Sequence, residues 1–170
     1  LFNLETIGHI AQGALGCGIA PLVRVRSCDD PDTSLLLDNG VTGIVFPDIS
    51  TAEEAKRAVN RAKFPPVGRR SVSGGYALFD YRPMSTADAV PALQENTLVV
   101  CMIETREGVE NIDAIAHSAD LRSLADTSVN ECLAERHVFS VGGKAFANLN
   151  GEFTGRRENN HLVGFLPHVN

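Results

Sequence analysis

The chain has no tryptophan, two methionines and only 6% aromatic residues. Its core must therefore rest on aliphatic and alanine packing rather than on large rings. Basic charge is not in excess either. Fifteen Lys and Arg stand against 21 Asp and Glu, giving a net charge of −6. That argues against nucleic acid as the main partner, since phosphate binding needs a basic face. No apolar stretch approaches the length of a membrane span, so a membrane is not expected as partner. No Walker pattern is present, which argues against nucleotide. The four cysteines, Cys17, Cys28, Cys101 and Cys132, form no CxxC pair, and N-x-S/T sites are missing. Free thiols in a reducing, cytoplasmic setting are the expectation. The opening LFNLETIGH lacks the basic and apolar regions of a secretory leader. Its first residue is Leu, which leaves the natural N-terminus open.

What is present is ordinary for a globular domain: 170 residues, 44% hydrophobic and 21% charged. That length suffices for one domain with a core. Residues 6–18 read as a helix with Ile7, Ile10, Ala11, Ala14 and Leu15 on one face. Residues 20–25 (APLVRV) read as a strand. Asp30-Pro31 opens a helix carrying Leu35, Leu36 and Leu37, closed at Asn39-Gly40. Residues 41–46 are the next strand. Ser50-Thr51-Ala52-Glu53 is a capping box for a helix running to about Lys63. Its face of Ala55, Ala58, Val59 and Ala62 suits close packing on a sheet. A long Gly-rich loop follows over 69–83, of the kind that is usually functional or disordered. A helix over 86–94, a strand over 97–103 and a helix over 106–116 complete the regular part. The expected fold class is α/β with parallel strands covered by helices, suiting a (β/α)₈ barrel or an open sheet. A full barrel takes about 250 residues, and only three clear strands are visible. Residues 123–136 read as one helix, and beyond them no period is sustained. The domain reading is a barrel-type segment over 1–122 and an unrelated, rearranged or disordered tail over 123–170.

The most informative stretch is LVVCMIETREGV, residues 98–109. A buried strand ends in one carboxylate, Glu104, and Thr105 caps the helix that follows. An acid there suits a metal ligand or general base, because ligands bind where parallel strands end. It also suits a helix N-terminal acid favoured by the macrodipole. Arg24 lies within an apolar strand and needs an anion, either a substrate carboxylate or an internal acid such as Glu104. Arg69 and Arg70 sit on the Gly/Ser-rich loop, as an anion site or as a solvated basic loop. His9 reads as a surface histidine. Cys132, His137, His161 and His168 fit no zinc spacing. Asp120 is isolated.

Three stretches taken together resemble the HpcH/HpaI aldolase and citrate lyase family. They are APLVRV with LLDNGVTGIVFP, then STAEEAKRAV with KFPPVGRRSVSGG, and last LVVCMIETREGVENIDAI. The resemblance covers about residues 6–117 and implies strands three to five of a partial (β/α)₈ TIM barrel. It implies a lyase acting on pyruvate-derived 2-oxo acids and aldehydes with a divalent metal, Mg²⁺ or Mn²⁺, and a homo-oligomer. By the resemblance Glu104 is the first metal carboxylate. Arg24 binds the substrate carbonyl and acts in catalysis, and Arg70 is the arginine of the PPxGxR loop, near the substrate. Asp120, in Ala119-Asp120-Leu121, is the weaker match to the second metal ligand, with no apolar strand before it. The family's catalytic His–acid pair lies ahead of the first helix, and His9 is not that histidine. Met102 stands where the aldolase branch carries Gln. The resemblance thus implies a catalytic parent whose turnover is impaired or absent in this chain. The competing readings are a non-catalytic, self-associating segment, and an α/β module binding an anion through the 69–75 loop.

Overall fold

The computed structural model describes residues 2–118 and three later strands, 123–126, 138–141 and 144–147. The order is α1 (Leu4–Gly16), β1 (Leu22–Arg24), α2 (Thr33–Asp38), β2 (Gly43–Phe46), α3 (Ala52–Ala62), a 3₁₀ turn (Ala77–Phe79) and α4 (Thr86–Asn96). Then come β3 (Leu98–Ile103), α5 (Arg106–Glu110), α6 (Ile112–Ser118) and β4 (Ser123–Asp126). Strands β1 to β4 form one sheet in sequence order, and every neighbouring pair is parallel. Sequential parallel strands joined through helices are what an arc of a (β/α)₈ barrel contains. A separate antiparallel pair joins β5 (Val138–Val141) to β6 (Lys144–Ala147).

The two faces of the sheet differ. Ile44, Phe46, Val99, Cys101 and Ile103 are at most 1% exposed. They form one cluster with Ala55, Ala58, Val59 and Ala62 of α3 and Ile115 of α6. Full burial of each large side chain stabilises the fold by about 1.5–3 kcal/mol. Cys101 behaves as a small hydrophobe here, and burial pushes its thiol up to about 12. Cys17, Cys28 and Cys101 are all free thiols. On the other face Val100 is buried, Leu22, Val45, Leu98 and Met102 are only half-buried, and Arg24 is exposed. A Cβ at Gly43 would lie 2.6 Å from Leu22 Cδ2 and 2.8 Å from Leu98 Cβ, so no side chain fits between them. Among the described residues, no helix is long and apolar enough to cross a membrane.

Several local expectations are corrected. The helix expected over 123–136 is not what its first four residues form. Ser123 to Asp126 are β4, in register with Val100 to Ile103, and cross-strand pairing outweighs local preference there. The sheet therefore continues past residue 122, with a short strand of mixed composition after α6. The helix after Asp30-Pro31 begins later, at Thr33. The Asp30 carboxylate accepts from the backbone N–H groups of Arg26 and Asp32 and holds the chain in a turn first. The capping box is real but shifted by one residue, being built from Thr51 and Glu54. Ile10 is 49% exposed, so the buried side of α1 is narrower than its pattern suggested. The helix expected over 106–116 breaks at Asn111 into α5 and α6.

Candidate functional site

Glu104 follows the last residue of β3, at the carboxyl edge of the sheet. It is half-buried. Its Oε2 accepts a hydrogen bond from the backbone N–H of Asp48 at 3.0 Å. Asp48 lies just past β2, with φ of 55°. The rest of that loop is fastened to the same segment. Ile49 N–H donates to Met102 O at 3.0 Å. The hydroxyls of Ser50 and Thr105 are 2.6 Å apart, and Asn111 Nδ2 donates to Ser50 O at 3.0 Å. Thr105 also caps α5, accepting from Gly108 N–H at 3.0 Å. The shift in the capping box matters here, because it frees the Ser50 hydroxyl for Thr105. Gly108 is required by the close approach. A Cβ there would stand 2.9 Å from Ile49 O and 3.0 Å from Ile103 Cγ2.

Arg24 ends β1 and is exposed. Its neighbours in the strand are apolar, yet its own side chain is not covered by the described residues. Among the described residues it makes no ion pair or side-chain hydrogen bond, so the internal pair with Glu104 is not formed. Register relates the two positions. Arg24 pairs with Val45, and Val45 pairs with Val100. Counting by twos from Val100 through Met102 reaches Glu104, so both residues belong to one face of the sheet. That is the half-covered face. Beside Arg24 lies a cleft of about 300 Å³, also lined by Asn3, Ile7, Arg26 and Asp30. Arg26 is bound to Asp30 at 2.8 Å and to Asp32 at 2.8 Å. Its hydrogen bonds hold the Asp30 carboxyl down at about 2.

Arg70 lies elsewhere in character. Its guanidinium is 1% exposed and donates to Asp38 Oδ1 at 2.7 Å. It stacks over the Phe64 ring at 4.5 Å and stands 5.9 Å from the Tyr76 ring. Its Nε is the one buried side-chain polar atom without a partner among the described residues. The loop residue read as solvated or substrate-facing thus pins its loop to the end of α2. Arg69 is exposed, as is His9. Asp120 and the residues Cys132, His137, His161 and His168 lie outside the described residues.

Two positions escaped sequence reasoning. Asp48 carried no motif, and only its backbone geometry reveals its contact with Glu104. Asp126 ends β4, paired in register with Ile103, and so belongs to the face opposite Glu104. Reading 123–126 as a strand would have drawn attention to it.

Glu104 suits a hard divalent cation by donor type, being a carboxylate with one oxygen fixed and the other without a partner among the described residues. Among the same residues no group of three His, Cys, Asp or Glu side chains could hold a metal ion. The donor type fits such a cation.

Comparison with known proteins bears on this arrangement. A family model described as HpcH/HpaI aldolase/citrate lyase matches residues 6–126. A 4-hydroxy-4-methyl-2-oxoglutarate aldolase of Chaetomium globosum is 40% identical over 116 residues, covering 67% of this chain and 43% of the relative. A 5-keto-4-deoxy-D-glucarate aldolase of Escherichia coli is 35% identical over 101 residues, covering 59% and 39%. The crystal structure of an HpcH/HpaI aldolase from Desulfitobacterium hafniense is similar with a TM-score of 0.69 at 28% identity. That likeness covers 74% of this chain and 48% of the other. The chain spans less than half the length of these relatives.

Proposed function

The chain belongs to the HpcH/HpaI aldolase/citrate lyase family, and from that premise we propose that it is the central part of a divalent-metal-dependent carbon–carbon lyase. The reaction is aldol cleavage or condensation next to a pyruvate-derived 2-oxo acid. The names of the two aldolase relatives, whose substrates carry an oxo group, support that substrate class. The single observation that carries the reading is the shared face of Arg24 and Glu104 at the carboxyl edge of a parallel sheet, with Glu104 oriented by a backbone N–H.

In this reading Glu104 holds Mg²⁺ or Mn²⁺, with Asp120 as the second carboxylate. The cation would act as a Lewis acid toward the 2-oxo acid. Arg24 carries a charge not offset by any described acid. It receives the substrate's carboxylate or carbonyl oxygen in its planar fork. The same donors offset negative charge that develops on that oxygen as the carbon–carbon bond breaks. Arg70 is assigned to holding its loop, since its guanidinium is engaged with Asp38.

The test is pyruvate release from a 4-hydroxy-2-oxo acid with Mn²⁺ or Mg²⁺, beside direct Mn²⁺ titration. The reading expects Mn²⁺ binding that Glu104→Gln abolishes. It also expects that any pyruvate release stops with chelator and falls about a hundredfold or more in Arg24→Ala. Equal Mn²⁺ affinity in Glu104→Gln, or release indifferent to chelator, overturns it.

A further inference from the structure

We infer that Asp48 is a positioning residue for Glu104, acting through its backbone rather than its carboxylate. The metal-binding part of this inference rests on the function proposed above; the hydrogen bond itself does not. Asp48 has φ of 55°, in the left-handed region that side chains other than glycine rarely adopt. Asp tolerates that region better than most residues, through local hydrogen bonds of its side chain. Here the carboxylate is exposed and makes no hydrogen bond among the described residues. The left-handed turn therefore has no local side-chain cause. What it achieves is to aim the Asp48 N–H at Glu104 Oε2, 3.0 Å away.

Strained backbone persists only where its surroundings over-determine it, and these surroundings do. Directly after Asp48, Ile49 is 1% exposed and donates to Met102 O. Ser50 is tied to Thr105 and Asn111. Every one of those contacts goes to the segment that carries Glu104. The loop is thus a brace across the carboxyl ends of β2 and β3, and Asp48 supplies the donor that selects one orientation of the Glu104 carboxylate. One oxygen is held by the brace and the other is left for the ligand. Partners that orient a metal carboxylate typically matter about 10- to 100-fold in metal affinity.

The test separates backbone from side chain. In the full chain, Glu104→Ala speeds hydrogen exchange of the Asp48 amide about tenfold, the effect of one lost hydrogen bond. Asp48→Gly and Asp48→Asn both retain the left-handed turn and keep Mn²⁺ affinity within about twofold. Asp48→Val, whose branched side chain resists that turn, loses about tenfold or more. Unchanged Asp48 amide exchange in Glu104→Ala overturns the inference. So does a loss in Asp48→Asn and Asp48→Gly equal to that in Asp48→Val, since the carboxylate would then be the contact. Unchanged Mn²⁺ affinity in Glu104→Ala instead overturns the metal reading, and amide exchange still decides whether the brace exists.

Discussion

The Arg70 guanidinium, almost wholly buried, donates to Asp38 across 2.7 Å while stacked on Phe64. It ties the loop after α3 to the last residue of α2, 32 positions away in sequence. Removing one partner of a buried pair leaves the other charge uncompensated, at a typical cost of about 3–5 kcal/mol. Arg70→Ala should lose stability at the lower end of that range, because Asp38 is partly open to water. Arg70→Lys should not rescue it, since an ammonium neither stacks nor forks. Urea unfolding measures both. A loss below about 1 kcal/mol, accompanied by weaker 2-oxo acid binding, would return Arg70 to the substrate side.

Lys63 is a second buried cation, 2% exposed. Its Nζ donates to Gln94 O at 2.8 Å and Thr97 O at 2.6 Å. Those carbonyls lie at the carboxyl end of α4, where four helix carbonyls lack intrahelical partners. Lys63→Met keeps the length and removes the donors. It should cost about 1–3 kcal/mol, the usual penalty for buried acceptors left unmade. Hydrogen exchange should quicken first around the α4–β3 junction, where the carbonyls sit. Uniform quickening across the sheet would point to general loss of packing instead.

Lys63 and Arg70 also mark where sequence reading stopped. Lys63 reads from sequence only as the end of a helix and Arg70 as an anion site or a solvated loop residue, because burial of either charge depends on contacts distant in sequence. The small-residue side of α3 was legible because Ala55, Ala58, Val59 and Ala62 repeat at helical spacing. Strand β3 was legible as an unbroken apolar run, and Glu104 stood out at its end. Strand β4 was not, since Ser123-Leu124-Ala125-Asp126 is short and mixed, and its state is set by pairing with β3. Arg24 was expected to be buried because its neighbours are apolar. Apolar neighbours along a strand do not by themselves decide whether a given side chain is covered, and Arg24 is exposed.

Asp30 gives the fold an acid-sensitive joint. Hydrogen bonding from the Arg26 side chain, ahead of the opposing effect of burial, lowers its carboxyl from 3.8 to about 2. A carboxyl lowered in the folded state adds stability that is complete above its unfolded value and fades as pH falls through the folded one. The loss should therefore run between about pH 4 and pH 2, with no effect near neutrality. The size should be about 1–2 kcal/mol, since Arg26 is largely exposed and solvent screens the pair. Urea midpoints for the wild type and Asp30→Asn should differ at pH 5 and converge toward pH 2. A gap that persists at pH 2 would mean that Asp30 acts through its backbone turn rather than its charge.

Gly108 tests whether the brace and the carboxylate function together. The methyl group of Gly108→Ala would press on Ile49 O at 2.9 Å and Ile103 Cγ2 at 3.0 Å. One of those atoms belongs to the loop holding Glu104 and the other to the strand residue before it. Overpacking of this kind costs about 1–3 kcal/mol. A purely structural role ends there. If the brace orients Glu104, relief of the clash must push Ile49 away from Met102 and carry the Asp48 N–H off Oε2. Mn²⁺ affinity should then fall about tenfold, more than in a control of equal stability loss placed in the other cluster. Leu93→Val is such a control, because Leu93 packs with Phe64, Tyr76 and Ala89, away from the sheet's carboxyl edge. Equal Mn²⁺ affinity in the two variants would separate stability from orientation and leave Gly108 a packing residue alone.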